Sequence, residues 1–199
     1  MKLHIFPPSP NCRKVALVAA HLGLTADVDI VDLSKGAHKQ GEFLAINPNG
    51  KVPALTDGTL KLWESNAICC HLASQYDNSL WPEASRIDVL RWMFWEAAHW
   101  SPALAPFTVE NVIKGGKDVD QASLDAAADN VHRFGAVLNG AVEGREFVVG
   151  DGVTLADYVL AAPMMYQPIA KAPIDRFPHL VAWLDRVRAT DAWKKTELK

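Results

Sequence analysis

The fold of this chain is decided by one stretch, Pro48-Asn49-Gly50-Lys51-Val52-Pro53-Ala54-Leu55. The residues from Asn47 to Gly50 have the composition of a tight turn, and Val52 to Thr56 has that of a strand. A proline at the start of a strand after a turn is a candidate for a cis peptide bond, here Val52–Pro53. Such a bond leaves the backbone amide and carbonyl of Val52 facing outward, free to pair with an extended peptide. The alternative is an edge-strand proline that only blocks unwanted pairing.

The elements around this stretch follow from hydrophobic periodicity and turn residues. The patterns predict a strand over Leu3–Phe6, a helix over Arg13–Leu22, a strand over Asp27–Leu33, a hairpin turn at Asp57-Gly58, a strand over Leu60–Trp63 and a helix over Ser65–Tyr76. The first 76 residues are therefore predicted to run β-α-β, then a loop, then β-β-α.

A second informative segment is Ser9-Pro10-Asn11-Cys12-Arg13-Lys14-Val15, which lies between the first strand and the first helix. At a helix N-terminus, the unpaired backbone N–H groups and the helix dipole favour a negative charge. The Ser9 hydroxyl can donate a hydrogen bond to an anion there. Ordinary N-capping is the alternative, since Ser and Asn are preferred cap residues.

A third segment, Leu62-Trp63-Glu64-Ser65-Asn66-Ala67-Ile68, passes from a strand into a helix at Glu64-Ser65. Ser65 and the first N–H groups of the helix make a carboxylate site, and Glu64 can pair with an ammonium. Together they suit the head group of an amino acid, which carries both charges. The alternative is a simple helix cap.

The second half of the chain has helical patterns. The stretch Asp77–Ser85 breaks the periodicity and contains a proline, which marks a linker. Thr154 is expected to cap a later helix, with the Asp157 carboxylate reaching back to the cap amide. The predicted helices are Arg86–Trp100, interrupted near Pro102, then Gln121–Asn139, Leu155–Met165 and His179–Ala189, with Phe147–Val149 as the one candidate strand.

Composition excludes several classes of protein. The 199 residues are 49% hydrophobic and 22% charged, with a formal net charge of -3, so we expect a globular protein that does not bind nucleic acid. No run reaches the ~20 apolar residues of a membrane-spanning helix, and the first apolar run is too short for a signal peptide, so we expect a cytoplasmic protein. Cys12 and the neighbours Cys69 and Cys70 have no spacing typical of a disulfide framework or a zinc site. We therefore expect no metal.

The order and spacing of the three segments resemble those of the soluble glutathione transferases over nearly the whole chain. The stretch Pro48 to Leu55, followed by Asp57-Gly58 and by Leu62 to Ile68, is close to the family pattern. The serine four residues ahead of Arg13 resembles that of the serine-type classes (theta, delta and phi). The stretch from Trp92 to Phe107 looks more like bacterial members.

This resemblance implies a fold of α/β plus all-α class. A thioredoxin-like glutathione-binding domain would span residues 1–77, a linker 78–85 and an all-helical domain 86–199. The family's active serine maps onto Ser9, and glutathione is a co-substrate, with no further cofactor implied. Family members are usually homodimers. The implied glutathione contacts are Asn11, His38, Lys39, Lys51, Val52, Pro53, Glu64 and Ser65, and Asn66 departs from the arginine that phi-like members often carry.

A second pocket, for a hydrophobic electrophile, is expected between the two domains. Its candidate residues are Phe6, Pro8, His99, Trp100 and Phe107. For the tryptophans of the Arg86 helix, packing in the core or at a subunit interface is the alternative to stacking on a substrate. For His99, the alternative is a core histidine whose hydrogen bonds are satisfied within the protein.

Three functions are compatible with these residues. The first is conjugation of the glutathione thiolate to hydrophobic electrophiles, with Ser9 stabilising the thiolate. The second is a glutathione-dependent peroxidase, isomerase or dehalogenase, and the third is a non-catalytic interaction protein. Intact Ser9, Lys51 and Glu64-Ser65 favour an enzyme. Ser9 to Cys12 also resembles a dithiol redox motif whose first cysteine is a serine, so Cys12 is either a redox residue or, as we expect, a buried packing residue.

Overall fold

The computed structural model describes residues 1–76 and 78–198. They form two compact units, the first made of Met1–Pro82 together with Asp191–Lys199, and the second made of Glu83–Thr190. Residues 77 and 199, which are the predicted last residues of the two domains, lie outside the described residues.

The first unit is built on a four-stranded sheet with strand order β2-β1-β3-β4. Strands β1 and β2 are parallel, whereas β3 is antiparallel to both β1 and β4. The predicted order of elements and the thioredoxin-like fold are confirmed. In chain order the elements are β1 (Lys2–Ile5), α1 (Pro10–His21), β2 (Asp27–Ile30), a 3₁₀ turn (Ala37–Lys39), α2 (Gly41–Leu44), β3 (Ala54–Asp57), β4 (Leu60–Trp63) and α3 (Ser65–Tyr76).

The strand register brings three chain segments to one end of the sheet. Ala54, the first residue of β3, pairs with His4 near the end of β1 and with Trp63 at the end of β4. The loop after β1, the start of β3 and the junction after β4 therefore share that end. These are the places where the sequence analysis located its three informative segments.

Helix α1 has clear start and stop signals. Pro10 occupies its first position, where a fixed φ and a missing N–H are no disadvantage, and for that reason α1 begins three residues before the predicted start. Gly23 ends the helix in the left-handed conformation with φ 64°. The Leu24 N–H then returns to the Ala19 carbonyl at 2.9 Å, so a carbonyl of the last turn has a partner.

Both faces of the sheet are covered within the first unit. Helices α1 and α3 pack against each other, and α3 also contacts β3 and β4. The opposite face carries a cluster of Val31, Phe43 and Ala54, against which Val52 packs. The loop between β2 and β3 thus supports Val52, the residue whose backbone is predicted to bind a peptide.

The second unit is helical, and no strand follows Trp63 in residues 64–76 and 78–198. The candidate strand Phe147–Val149 forms bends instead. The helical elements of the second unit are α4 (Arg86–Trp95), a π turn (Glu96–Trp100), α5 (Ser101–Phe107), a π turn (Thr108–Ile113), α6 (Gln121–Ala141), α7 (Leu155–Ala161), a 3₁₀ turn (Ala162–Met164) and α8 (Pro178–Ala189). In the described part of the chain, no helix is long and apolar enough to cross a membrane.

The interruption predicted near Pro102 is a change of helical winding rather than a break. Pro102 and Pro106 have no N–H to donate to the preceding turn. The π turn Glu96–Trp100 comes directly before the segment that contains them, and the chain stays helical to Ile113. A π turn inserts one residue into the helix, so that a backbone N–H bonds to the carbonyl five residues earlier instead of four. This changes the hydrogen bonds in the turn that precedes the two prolines.

A buried carboxylate organises the second unit. Asp157 accepts hydrogen bonds from the backbone N–H of Val148 at 2.9 Å and of Thr154 at 2.8 Å, and from the indole N–H of Trp183 at 2.8 Å. The predicted reach of Asp157 back to the cap amide at Thr154 is therefore confirmed. Burial raises the pKa of this carboxyl, while the donated hydrogen bonds act in the opposite direction.

The C-terminal boundary differs from the prediction. Residues 191–198, which we assigned to the helical domain, group with the first unit. Thr190 ends α8 in an extended conformation, and the short helix α9 (Asp191–Lys195) then packs against α1. Ala192 and Trp193 are buried by this contact, which holds the segment on the first unit. The first unit also extends to Pro82, so most of the predicted linker is part of it.

Replacing Asp157 with alanine should destabilise the protein by at least about 3 kcal/mol, because four buried donors, the Thr154 hydroxyl among them, lose their acceptor. Urea unfolding followed by circular dichroism measures this free energy. Asp129→Ala, at an exposed position on α6, is the matched control and should change stability by less than about 0.5 kcal/mol. Equal effects of the two substitutions would contradict the anchoring role of Asp157.

Candidate active site

The site begins at the capped N-terminus of α1. Ser9 is half-buried, has extended backbone angles and accepts a hydrogen bond on Oγ from the Cys12 N–H at 3.5 Å. Its carbonyl accepts from the Arg13 N–H at 2.9 Å. No acidic side chain lies in the first turn of α1, so nothing there offsets the positive end of the helix dipole. This end of α1 is suited to an anion.

The N-terminus of α3 lies next to that of α1. The Ser65 hydroxyl donates a hydrogen bond to Asn11 Oδ1 at 3.3 Å, and Ser65 is buried whereas Asn11 is exposed. The first turn of α3 also lacks an acidic side chain. The structure thus brings together three of the predicted site residues, which belong to two different helix starts.

Glu64 has an unusual backbone conformation at this junction. Its φ is 73°, in the left-handed region that residues other than glycine rarely adopt. Strained backbone of this kind concentrates at functional sites, where the surrounding structure enforces it. The Glu64 side chain is exposed, so its carboxylate is open to an approaching cation.

The start of β3 supplies backbone groups to the same end of the sheet. The Val52–Pro53 peptide bond is cis, as the sequence suggested. Among residues 1–76 and 78–198, the backbone N–H and C=O of Val52 find no backbone hydrogen-bond partner. Val52 is half-buried and Pro53 is buried. An extended peptide that reached this point could therefore pair with Val52 as an added strand.

The turn before Val52 is held by Asn47, which the sequence analysis did not single out. Its side-chain amide donates to the Lys51 carbonyl at 2.6 Å, and its Oδ1 accepts from the Asn49 N–H at 3.0 Å. Gly50 adopts φ 59°, and a Cβ at this position would lie 3.1 Å from the His38 carbonyl oxygen. The signal was present in the sequence, because an Asn ahead of Pro commonly bonds the backbone two residues on.

Two lysines and a histidine complete the predicted glutathione contacts. His38 and Lys39 form the 3₁₀ turn before α2, and the close approach of the His38 carbonyl to Gly50 places this turn beside the loop that carries Lys51. Lys39 and Lys51 are exposed and His38 is half-buried. Exposed ammonium groups here can pair with a carboxylate.

The predicted second-substrate residues are divided between the two units. Phe6 is half-buried and Pro8 exposed in the loop after β1. His99 is exposed and stacks on Phe134 with ring centroids 5.0 Å apart. Trp100 and Phe107 are buried within the second unit. Each of these residues is described within its own unit, and a second-substrate pocket formed by them stays a prediction.

Trp100 needs a correction. Its exposure is 0%, and its indole N–H donates to the Leu160 carbonyl at 3.2 Å. Its ring also stacks on Trp95 at 6.1 Å. The indole therefore packs in the helical core, which is the alternative that the sequence analysis named for the tryptophans, and it is not placed to contact a substrate.

Cys12 is a packing residue. Its side chain is buried, and its Sγ accepts a hydrogen bond from the Phe6 N–H at 3.3 Å. Burial raises the pKa of the Cys12 thiol, an effect only partly offset by hydrogen bonds from the Phe6 N–H and from the Ser9 side chain. Because the thiolate is the reactive form, this environment disfavours a redox role. The other two cysteines are also free thiols.

The fold and the site define a two-unit class of protein. One unit is thioredoxin-like, with two helix N-termini at one end of its sheet, and the other unit is helical.

Comparison with known proteins gives the family. The family model "Glutathione S-transferase, N-terminal domain" matches residues 3–80, and "Glutathione S-transferase, C-terminal domain" matches residues 92–191. Glutathione S-transferase 3 of Zea mays is 33% identical, over 98% of this chain and 92% of its own length.

Two solved structures agree with this. Glutathione transferase F7 from Populus trichocarpa has a TM-score of 0.88 at 27% identity and covers 98% of this chain and 96% of its own. A glutathione transferase family member from Pseudomonas fluorescens, with two glutathione bound, has a TM-score of 0.88 at 26% identity, covering 100% of this chain and 92% of its own. The chain belongs to the glutathione S-transferase family.

Cys12 should resist alkylation in the folded protein. Its raised pKa means that thiolate forms only well above neutral pH, and burial blocks access, so iodoacetamide should modify it at least about 100-fold more slowly than in denatured protein. Mass spectrometry of timed samples measures this rate. The half-buried Cys70, whose pKa burial raises to about 11, is an internal reference and should also react slowly. Rapid labelling of Cys12 at neutral pH would contradict the packing role.

Proposed function

We propose that this protein is a serine-type glutathione transferase that conjugates the glutathione thiolate to hydrophobic electrophiles. The observation that carries the proposal is the hydrogen bond between Ser65 and Asn11, which joins the N-termini of α3 and α1 beside Ser9. Two helix N-termini without acidic first turns provide two neighbouring anion sites. Glutathione has anionic groups for both, namely its thiolate and the carboxylate of its γ-glutamyl end.

The remaining groups of glutathione have partners of matching chemistry. The γ-glutamyl ammonium suits Glu64, and the adjoining carboxylate suits Ser65 and the first amides of α3. The central peptide suits the backbone of Val52, held in place by the cis Pro53. The glycine carboxylate suits the exposed ammonium groups of Lys39 and Lys51, with His38 beside them.

The energetics of thiol activation are consistent with Ser9 as the catalytic residue. A thiol has a pKa of ~8.5, and lowering it by two units requires ~2.7 kcal/mol of preferential stabilisation of the thiolate. A hydrogen bond from a hydroxyl to an anion supplies ~1.5–3 kcal/mol, and the helix dipole adds up to ~1 kcal/mol. Ser9 Oγ takes part in the cap only as an acceptor, from the Cys12 N–H, so the cap itself does not use the hydroxyl proton.

In this mechanism the serine keeps its proton. The thiol proton leaves to solvent, and a sulfur electron pair forms a carbon–sulfur bond with the electrophile. In a substitution the displaced group departs with its bonding pair, and in an addition the resulting carbanion takes a proton from solvent. No general base is required, because the thiolate is already formed before the electrophile binds.

We also propose that the protein acts in the cytoplasm as a homodimer. Three free cysteines, of which Cys12 and Cys69 are buried, suit a reducing compartment. Ile87 and Phe94 are 79% and 72% exposed and lie seven residues apart on α4, so they share one helix face. Exposed apolar side chains in this arrangement favour burial against a second copy of the chain.

Ser9→Ala should raise the pKa of the thiol of bound glutathione by about one to two pH units and slow conjugation about 10- to 100-fold. The parent, by contrast, should bind glutathione as a thiolate at neutral pH. Ultraviolet absorbance of the thiolate across a pH series gives the pKa, and an electrophile such as a chlorodinitroarene gives the rate.

Ser9→Thr is the matched control for that experiment. It retains a hydroxyl and a competent helix cap, so most of the lowering of the thiol pKa should remain. Identical titration curves for the parent and Ser9→Ala would rule out Ser9 as the stabilising group. Absence of glutathione binding in the parent would reject the proposed function altogether.

Phe94→Lys should weaken dimerisation by at least about 10-fold, since it places a charge on the proposed interface. Sedimentation velocity over a range of concentrations measures the association. Val137→Lys on α6, where the native side chain is 49% exposed, is the control and should leave association unchanged. If Phe94→Lys associates like the parent, this face of α4 is not the dimer interface.

A further inference from the structure

The C-terminal end of the chain is fastened to the helix that carries Ser9. Arg13 is buried, and its Nη2 donates a hydrogen bond to the Trp193 carbonyl at 3.0 Å. The Arg13 guanidinium also lies 4.6 Å from the centre of the Trp193 ring. A cation over an indole face and a hydrogen bond to the same residue hold the two side by side.

The segment that packs on α1 is a short helix whose last carbonyls accept side-chain hydrogen bonds. Helix α9 has five residues, too few to be stable without packing. Beyond it, the Thr196 hydroxyl donates to the Ala192 carbonyl at 2.8 Å and to the Trp193 carbonyl at 3.1 Å. The Trp193 carbonyl thus receives donors from both Arg13 and Thr196. We call residues 191–196 the C-terminal strap.

We propose that the C-terminal strap is a positioning element for Ser9, and that Arg13 and Trp193 are its positioning residues. This inference rests on the proposed function, because it assigns a role in thiolate stabilisation to residues that need not touch glutathione. Nothing in the Ser9 chemistry described above uses the end of the chain.

The route from the strap to Ser9 is one helical turn. Arg13 follows Ser9 by four residues, so the two lie on the same side of α1, and the Arg13 N–H donates to the Ser9 carbonyl at 2.9 Å. The strap therefore holds the residue whose backbone hydrogen bond closes the capping turn. On other sides of this turn, Asn11 is bonded to Ser65 and Cys12 to Phe6.

Three consecutive residues thus tie the turn to three different parts of the first unit. Asn11 and Cys12 tie it to α3 and to the loop after β1. Arg13 ties it to the C-terminal strap. Loss of that tie leaves the turn formed but free to shift, and a displacement of about 1 Å at a reacting group can cost about 100-fold in rate.

Removal of the strap is the direct test. A chain ending at Thr190 lacks the strap but keeps Arg13 and its charge, whereas a chain ending at Thr196 keeps the strap and loses only the last residues. In the shorter chain, the pKa of bound glutathione should rise by about one pH unit and kcat should fall about 10-fold with a smaller change in KM. The chain ending at Thr196 should match the parent.

Substitution of Arg13 tests the same tie when the shorter chain does not fold. Arg13→Met keeps the length and packing of the side chain but removes the hydrogen bond and the stacking charge, and should reproduce the rise in thiol pKa. Arg13→Lys keeps a positive charge and one donor. It should therefore restore part of the lowering of the thiol pKa seen in the parent. Hydrogen exchange of the α1 amides, measured without ligand, should be faster in the variants and does not depend on catalysis.

The outcomes separate this inference from the proposed function. If the parent lowers the thiol pKa of bound glutathione and both the shorter chain and Arg13→Met do so equally, the strap has no positioning role. A variant that loses only unfolding free energy, with thiol pKa and kcat as in the parent, would show that the contact is purely structural. If the parent itself does not lower the thiol pKa, the proposed function has failed instead.

Discussion

The proposed function requires the first turn of α1 to be held in one position, because both contributions to thiolate stabilisation in that proposal originate there. They are the hydroxyl proton of Ser9 and the dipole of the helix, and each depends steeply on distance and direction. The three residues after Pro10 are each hydrogen-bonded to a residue outside the helix. Asn11 is bonded to Ser65, Cys12 to Phe6 and Arg13 to Trp193. The small unit around the sheet can be understood as the support for this turn.

The register of the sheet is the second constraint. Because Ala54 pairs with both His4 and Trp63, the start of β3 lies between the ends of β1 and β4. A register shift by one residue would turn every side chain to the opposite face and would move the Val52 backbone away from Ser9 and Ser65. The cis Val52–Pro53 bond and the Asn47 hydrogen bonds fix the approach of the chain to this point.

Most of the elements, and the chain segments that carry the candidate site, could be predicted from the sequence, since they depend on local signals. The β-α-β and β-β-α order followed from periodicity and turns, and the Thr154–Asp157 cap from its spacing. Two features could not be predicted. The docking of α9 on α1 joins residues 180 positions apart, and the burial of Trp100 depends on which neighbours surround an almost uniformly apolar helix.

Local chemistry therefore explains what the sequence by itself determined: where helices begin, where the chain turns, and which residues carry a hydroxyl, a carboxylate or an ammonium. Only the tertiary structure decided which of these groups meet. It joined Ser65 to Asn11 and placed Glu64 in a left-handed conformation. It also brought the end of the chain back to Arg13. The physical reason is that contacts between distant residues depend on strand register and core packing, which are properties of the whole chain and leave no fixed spacing in its sequence.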